Sequence, residues 1–332
     1  MMNYPKFAAR FAVLLSELRG KQVVVIGHMR PDADCIGSQV ALCRLLRSQG
    51  VDAACINSDK VPRRIKFLVA DTPFFLRDEV PPRGKIAIFT DCADHGRAGE
   101  KMREMYPAPL GCFDHHISND GFARFDFVDT ASAATAEVLM GIFVDADLPI
   151  DRVTAQALYT GIMTDTGQFR FPSTSERVFR LSAELVSRGA DPSLAGAELY
   201  ERESLGKLKL IQHYLGSLKM ECLGRVCIGI LPLGVFDRTG ATGEDTEGLV
   251  DYARSIEGVV IGVLIEERPG AIKCSLRGIH SVYRMDTLAA QFGGGGHANA
   301  AGLTWPGTLT DFYPMLLAAI RQRLKEVDAA LK

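Results

Sequence analysis

The apolar residues of the first half fall into short unbroken runs, Gln22-Val23-Val24-Val25-Ile26, Val51 to Ile56 and Lys85 to Thr90, each of strand length. Between and after them the spacing becomes that of amphipathic helices over Ser38 to Ser48, Thr130 to Phe143 and Asp151 to Thr164. Runs without polar alternation suit strands covered on both faces, so this rhythm predicts an α/β fold on a parallel sheet. Ser173 and Glu176 have capping-box spacing and open a helix that runs to Arg188 and closes at Gly189 and Pro192. From Ser193 to Leu218 the pattern is helical and charge-rich, as in a connector. Strands are then predicted over Val226 to Leu231, Val259 to Glu266 and Ile272 to Arg277, with helices over Thr246 to Ser255, around Ser281 to Phe292, and over Leu309 to Leu331. The expected organisation is a parallel-sheet domain over 1–190, a helical linker over 191–212 with the boundary near 212, and a smaller mixed α/β domain over 213–332.

Composition narrows the function classes. A chain of 332 residues with 47% hydrophobic and 23% charged residues is a two-core globular protein, not a disordered one. Its formal net charge of -2 lacks the basic excess of a protein that tracks a long duplex, so a polyanionic substrate should be short and held locally. Lys6, Arg10, Glu17 and Arg19 interrupt the first apolar stretch, and no run approaches the ~20 apolar residues that cross a bilayer, which predicts a cytoplasmic protein without a membrane partner. Eight cysteines, at 35, 43, 55, 92, 112, 222, 227 and 274, never form CxxC and lie mostly in apolar segments. They are expected to be buried, reduced thiols, with neither a thiolate zinc site nor a disulfide framework.

Chemistry concentrates in four segments, each where an element ends. His28, Asp32 and Asp34 follow the first strand; Asp91 and Asp94 follow the Lys85 run; Asp114, His115 and His116 follow Leu110-Gly111-Cys112; Asp165 follows a helix. Singly each is weak, because an Asp in a βα loop is commonly a helix cap and a His there is commonly a hydrogen-bonding residue. Together they place carboxylates at one sheet edge, where they repel unless cations neutralise them. A nitrogen and oxygen shell suits manganese, magnesium, iron or zinc, and two such ions sharing a carboxylate form an arrangement that hydrolyses phosphoesters. The run Gly293, Gly294, Gly295 and Gly296, followed by His297, lets backbone N–H groups approach an anion, with an Ala-rich helix expected to start behind it.

These motifs resemble the DHH phosphoesterase family, for which Asp114-His115-His116 is the eponymous triplet, and Gly293 to Gly302 is similar to the signature of the DHH-associated C-terminal domain of its RecJ-like and NrnA-like members. The resemblance implies that His28, Asp32 and Asp91 hold one divalent cation and that Asp34, Asp91, His115 and Asp165 hold a second, with Asp91 bridging. It further implies that Asp114 orients His115, that His116 serves the reacting phosphate, and that Arg277, the four glycines and His297 bind substrate; Arg170, just beyond Asp165, is expected to face the cleft as a further substrate residue. Manganese is the implied metal, with magnesium the other candidate. The NrnA-like members cleave very short RNA and dephosphorylate 3'-phosphoadenosine 5'-phosphate, so the expected partners are short single-stranded RNA or DNA oligonucleotides or nucleotide phosphates, and the expected assembly includes a homodimer. Two other readings share part of the pattern: a family II inorganic pyrophosphatase, whose second domain differs, and a non-catalytic nucleotide-binding protein, which would have lost ligands.

Overall fold

The computed structural model describes residues 2–79 and 85–330. Met1, Lys332 and Leu331, expected as the chain limits and the end of the last helix, lie outside the described residues. The chain divides into two compact units, Met1–Arg202 and Glu203–Lys332.

In the first unit, α1 (Pro5–Leu18), β1 (Gln22–Ile26), α2 (Ala33–Ser48), β2 (Asp52–Asn57), β3 (Phe74–Leu76), β4 (Lys85–Thr90), α3 (Glu100–Met105), β5 (Gly111–Asp114) and β6 (Phe125–Val128) are followed by α4 (Thr135–Asp145), α5 (Arg152–Asp165), α6 (Glu176–Ser187) and α7 (Pro192–Gly196). All six strands are parallel, in the order β3-β2-β1-β4-β5-β6, with Val24 beside Ala54 on one side and Ala87 on the other. The chain leaves β1 in one direction and resumes at β4 on the opposite side. The crevice beyond the carboxyl ends of β1 and β4 is thus a topological switch point, the place where open parallel sheets bind ligands.

Helices α2 and α5 pack closely over this sheet because glycines stand where they meet. A Cβ on Gly37 would lie 2.4 Å from the Ala157 carbonyl oxygen, and one on Gly161 would lie 2.7 Å from Asp34 Oδ1. The helix pair therefore brings Asp34 and the end of α5 near each other before any metal is considered. Arg44 of α2 reinforces the pair, donating to Asp151, which itself caps α5 through the Thr154 N–H at 2.7 Å.

Asp151→Ala is expected to lower stability by about 0.5–2 kcal/mol, the range for losing such a cap, the half-exposed ion pair with Arg44 adding little. Burial opposes ionisation of Asp151, but Arg44 and the Thr154 N–H hold its carboxyl below the usual range. Its stabilisation is therefore present at neutral pH and is lost as the pH falls through the folded-state value. Urea denaturation of both proteins at neutral and acid pH should show the difference shrinking on acidification.

The start of the chain is tied down. The backbone N–H groups of Asn3 and Tyr4 and the Asn3 amide all donate to the Asp145 carboxylate at the end of α4. Gly141 leaves room for the Tyr4 ring, which a Cβ there would meet at 2.4 Å.

Several expected elements shift. Ser175, not Ser173, caps α6, because its hydroxyl accepts from the Val178 N–H while Thr174 is occupied in a turn to Phe171. Helix α4 starts at Thr135 rather than Thr130; Asp129 to Ala134 form a turn instead, held by the Ser132 N–H to the Asp129 carbonyl. The single helical connector expected from Ser193 is broken after α7 and a wide turn over Ala197–Glu201, and restarts as α8 (Leu205–Gly216) capped by Ser204.

The second unit continues with β7 (Lys219–Glu221), β8 (Val226–Leu231), α9 (Val235–Thr239), α10 (Leu249–Arg254), β9 (Ile261–Arg268), β10 (Ala271–Gly278), α11 (Met285–Ala290), β11 (Gly295–Gly296), β12 (Ala300–Pro306) and α12 (Leu309–Ala330). Its sheet is mixed, in the order β11-β12-β10-β9-β8-β7, with β8 and β9 parallel and the other neighbours antiparallel. Phe312, Leu316, Ile320 and Leu324 recur every four residues on α12 and bury one helix face in this unit's core. The segment after the glycines is a strand, not the expected helix. His297 and Ala300 exchange backbone hydrogen bonds at 2.7 and 3.1 Å, a tight turn that sends Ala300 onward antiparallel to β10.

All eight cysteines are free thiols, and all but Cys222 are buried. Among the described residues no helix is long and apolar enough to cross a membrane.

Candidate metal centre

His28 follows β1 by two residues and is 5% exposed. Its Nδ1 lies 2.9 Å from the Met29 carbonyl oxygen, which can only accept, so Nδ1 carries the proton. Nε2 then faces Asp91 Oδ2 at 3.3 Å and Asp32 Oδ1 at 3.8 Å. A backbone carbonyl that fixes one ring nitrogen while the other points at carboxylates is the usual preparation of a metal-binding imidazole.

Asp32 and Asp34 both belong to the start of α2. Asp32 is its cap, accepting from the Cys35 N–H at 3.0 Å. Asp34 is fully buried and accepts from the N–H groups of Thr135 and Ala136 at 2.7 and 2.9 Å. Helix α4 has alanine at its cap position and no side-chain cap of its own, so the Asp34 carboxylate satisfies its first donors from across the fold.

Asp91 sits just beyond β4 with φ of 58°, a left-handed conformation costly for a residue with a side chain and typical of functional turns. The Thr135 hydroxyl donates to its Oδ1 at 2.9 Å. His115 Nε2 lies 3.7 Å from Asp91 Oδ1 and 3.4 Å from Asp165 Oδ2, while its Nδ1 is 3.3 Å from the Ser132 carbonyl oxygen.

One expected role differs. Asp114 Oδ1 accepts from Nδ1 of His116 at 2.7 Å, so Asp114 orients His116, and the Ser132 carbonyl orients His115. The reason is the pleat: beyond a strand end, residues two apart share a side, so Asp114 meets His116 and not its immediate neighbour.

Three sets of donor atoms lie within 4.8 Å of one another: His28, Cys35 and Asp91; Asp91, His115 and His116; Asp34, His115 and Asp165. Asp91 belongs to two of the sets and His115 to two, so the sets are contiguous. Asp32 approaches His28 but remains about half exposed. Cys35, expected from the sequence as a buried, reduced thiol outside any metal site, has its sulfur in the first set. Burial pushes that thiol up to about 11, which keeps it protonated near neutrality and a poor ligand.

The electrostatics fit a cation. Burial, then the charges of Asp91 and Asp32, push the Asp34 carboxyl well above its ordinary range despite the two N–H groups from α4. Burial and the charges of Asp34, Asp32 and Asp91 do the same to Asp165. Burial also opposes ionisation of Asp91, but the His28 hydrogen bond and charge, with His115 and His116, hold it below the usual carboxylate range. Such a set of carboxylates, more than the neighbouring imidazoles neutralise, offers oxygen and nitrogen donors to divalent ions.

Thr135, Ser132 and Asn119 were not expected. Thr135 serves two carboxylates, Ser132 holds His115, and the Asn119 amide donates to Asp114 Oδ2 at 2.7 Å. The only signal for the first two is the run of small residues Ala131 to Thr135, which a helical reading of Thr130 to Phe143 conceals.

Arg170 is exposed in the turn after α5, its Nε donating to the Gly167 carbonyl at 2.7 Å. In the second unit, Arg277 is half-buried on β10, and burial lowers its guanidinium from the usual value. Gly293, with φ of 76°, turns the chain out of α11. Gly294 and Gly296 must lack side chains for a packing reason, since a Cβ would lie 2.4 Å from the Gly302 carbonyl oxygen in the first case and 2.5 Å from that of Ala300 in the second. Gly295 is exposed, with open space where a Cβ would stand, and His297 is exposed at the hairpin turn.

Residues 22–162 match the DHH family, N-terminal domain, and residues 225–326 match the DHHA1 domain. Over 326 residues the chain is 29% identical to the bifunctional oligoribonuclease and PAP phosphatase NrnA of Thermus thermophilus, covering 96% of both chains. It is 26% identical to the Bacillus subtilis protein of the same name, over 84% of this chain and 88% of that one. The crystal structure of an exopolyphosphatase-related protein from Bacteroides fragilis superposes with a TM-score of 0.87 at 26% identity, over 98% of this chain and 97% of that one. With the DHH triplet at the end of β5, its neighbouring carboxylates gathered at the switch point and both domain matches in order along the chain, this protein belongs to the DHH family and carries a DHHA1 domain in its second unit.

Proposed function

We propose that this protein is a metal-dependent phosphoesterase that trims short oligoribonucleotides from an end and removes phosphate from 3'-phosphoadenosine 5'-phosphate. The observation that carries this reading is Asp91, whose carboxylate belongs to two adjoining donor sets, which supports reading it as the ligand that two cations would share. In this reading His28, Asp32 and Asp91 hold one ion, and Asp34, Asp91, His115 and Asp165 hold the other. The ions supply Lewis-acid polarisation of the phosphoryl oxygen and a water acidic enough to attack near neutral pH. Manganese is the proposed metal, with magnesium the other candidate.

The chain's own groups do the rest. Asp114 fixes the His116 proton on Nδ1, which leaves Nε2 as the end of the ring that exchanges a proton or donates to the reacting phosphate. Residues 1–190 are assigned the phosphoryl chemistry and residues 213–332 the recognition of nucleotide, through Arg277, Gly293 to Gly296 and His297. Arg170, five residues beyond Asp165 in the turn after α5, is the first unit's candidate phosphate contact. The DHHA1 match supports this reading over a family II pyrophosphatase.

The test is hydrolysis of 5'-labelled RNAs of graded short length, of 3'-phosphoadenosine 5'-phosphate and of pyrophosphate, with manganese, magnesium or a chelator. Mononucleotide and phosphate release from the first two with manganese, abolished by the chelator, is the expected result. Release from pyrophosphate alone would refute it, and binding of nucleotide without turnover would favour a non-catalytic protein.

A further inference from the structure

The segment from Asp129 to Ala136 contacts three of the proposed ligands at once. The Ser132 carbonyl faces His115, the Thr135 hydroxyl donates to Asp91, and the N–H groups of Thr135 and Ala136 hold Asp34. Apart from Thr135, which is the first residue of α4, and Ala136, which follows it, this is loop backbone. Loop backbone drifts unless something holds it, and a drift of even an ångström would pull all three ligands out of register.

What holds it is a polar cluster behind the ligands that the proposed chemistry does not use. Arg177, on α6, donates from Nε to Glu137 Oε1 at 2.6 Å and from Nη2 to Asp129 Oδ2 at 3.2 Å and to the Ser132 hydroxyl at 3.1 Å. Glu137 is fully buried, and its other oxygen accepts from the Ala133 N–H at 2.6 Å. The Ser132 hydroxyl also donates to Asp129 Oδ2 at 2.6 Å and meets the Tyr4 hydroxyl, while the Arg177 guanidinium lies 4.6 Å above the Tyr4 ring. The Asp129 N–H reaches the Asp114 carbonyl at 3.1 Å, joining the cluster to the DHH triplet.

We propose that Arg177 is a positioning residue for the metal centre: its guanidinium clamps Glu137, Asp129 and Ser132, and thereby fixes the backbone that orients His115, Asp91 and Asp34. This rests on the metal reading above. A planar fork with fixed donors is needed, because one cation must reach two carboxylates and a hydroxyl in set directions; an ammonium supplies the charge without that geometry. Groups of this kind, one step removed from the ligands, typically change metal affinity ~10–100-fold when lost.

The experiment is Mn2+ binding to metal-free protein, followed by electron paramagnetic resonance, for wild type, Arg177→Met, Arg177→Lys and Ser132→Ala, with folding checked by circular dichroism and thermal melting. Arg177→Met should weaken Mn2+ binding at least about tenfold, Arg177→Lys should recover part of it, and at saturating Mn2+ the KM for a dinucleotide should stay near wild type while kcat falls. An Arg177→Met protein that is folded and binds Mn2+ as wild type does overturns the clamp, even if its melting temperature drops. If that variant does not fold, Ser132→Ala decides, since it removes the hydroxyl and keeps the carbonyl: weaker binding supports the clamp and unchanged binding overturns it. Failure of the wild type itself to bind Mn2+ removes the metal reading and the clamp with it, whereas normal wild-type binding with unaltered variants removes the clamp alone.

Discussion

Asp91→Asn is expected to reduce turnover of short RNA and of 3'-phosphoadenosine 5'-phosphate at least about 10³-fold and to weaken Mn2+ binding in parallel, since supporting residues alone cost ~10–100-fold. Asparagine is the informative replacement. It is isosteric and tolerates the left-handed backbone that Asp91 adopts, so the turn after β4 should survive. What disappears is the one negative charge facing His28, His115 and His116 together. With it gone, neither adjoining donor set retains an anionic oxygen from the turn after β4, and the imidazoles lose the carboxylate they share, while Met29, Ser132 and Asp114 still orient their rings. Steady-state rates with a Mn2+ titration check this. A variant within tenfold of wild type, with unaltered Mn2+ affinity, would mean that Asp91 is a structural turn residue.

The second large effect separates chemistry from metal retention. Asp114→Asn should lower kcat on the order of 10²–10³-fold, less than the ~10⁴ known when the carboxylate behind a serine-hydrolase histidine is neutralised. Asp114 is fully buried, and its two oxygens accept from His116 Nδ1 and the Asn119 amide. An amide in its place must turn its oxygen to one donor and its NH2 to the other. Whichever way it turns, either His116 flips its proton or a buried donor loses its partner. His115 is anchored by Ser132 instead, so Mn2+ affinity should remain within a few-fold. Equal losses of affinity and rate would show that the triplet works as one ligand block, contrary to the hydrogen bonds seen.

The residue types of the proposed metal centre and their places at element ends were legible in the sequence because both follow from short-range rules. A βα loop that carries His28, Asp32 and Asp34 directly after Val23 to Ile26 can only open at the sheet's carboxyl edge. The pairing of the triplet was not legible, since choosing between His115 and His116 as the partner of Asp114 requires the direction in which the chain leaves β5. Strands β3 and β6 escaped for another reason. Three or four residues at a sheet edge are too few to show a period, and Asp126 interrupts the apolar pattern of β6. The glycine run was read as an anion cradle, yet two of its members are required by the closeness of neighbouring backbone. The clamp ties Arg177 to residues 40 or more positions away, as far as Tyr4, and no local pattern announces it.

The grip of Asp145 on Asn3 and Tyr4 has a practical corollary for recombinant work. Tyr4 touches the Ser132 hydroxyl and the Ser132 carbonyl faces His115, so Asn3 and Tyr4 are the outer link of a chain of contacts that reaches the DHH triplet. Asp145→Ala releases both residues without touching a proposed ligand. Wild-type and Asp145→Ala protein loaded with Mn2+ should therefore differ in how much of the ion survives dialysis.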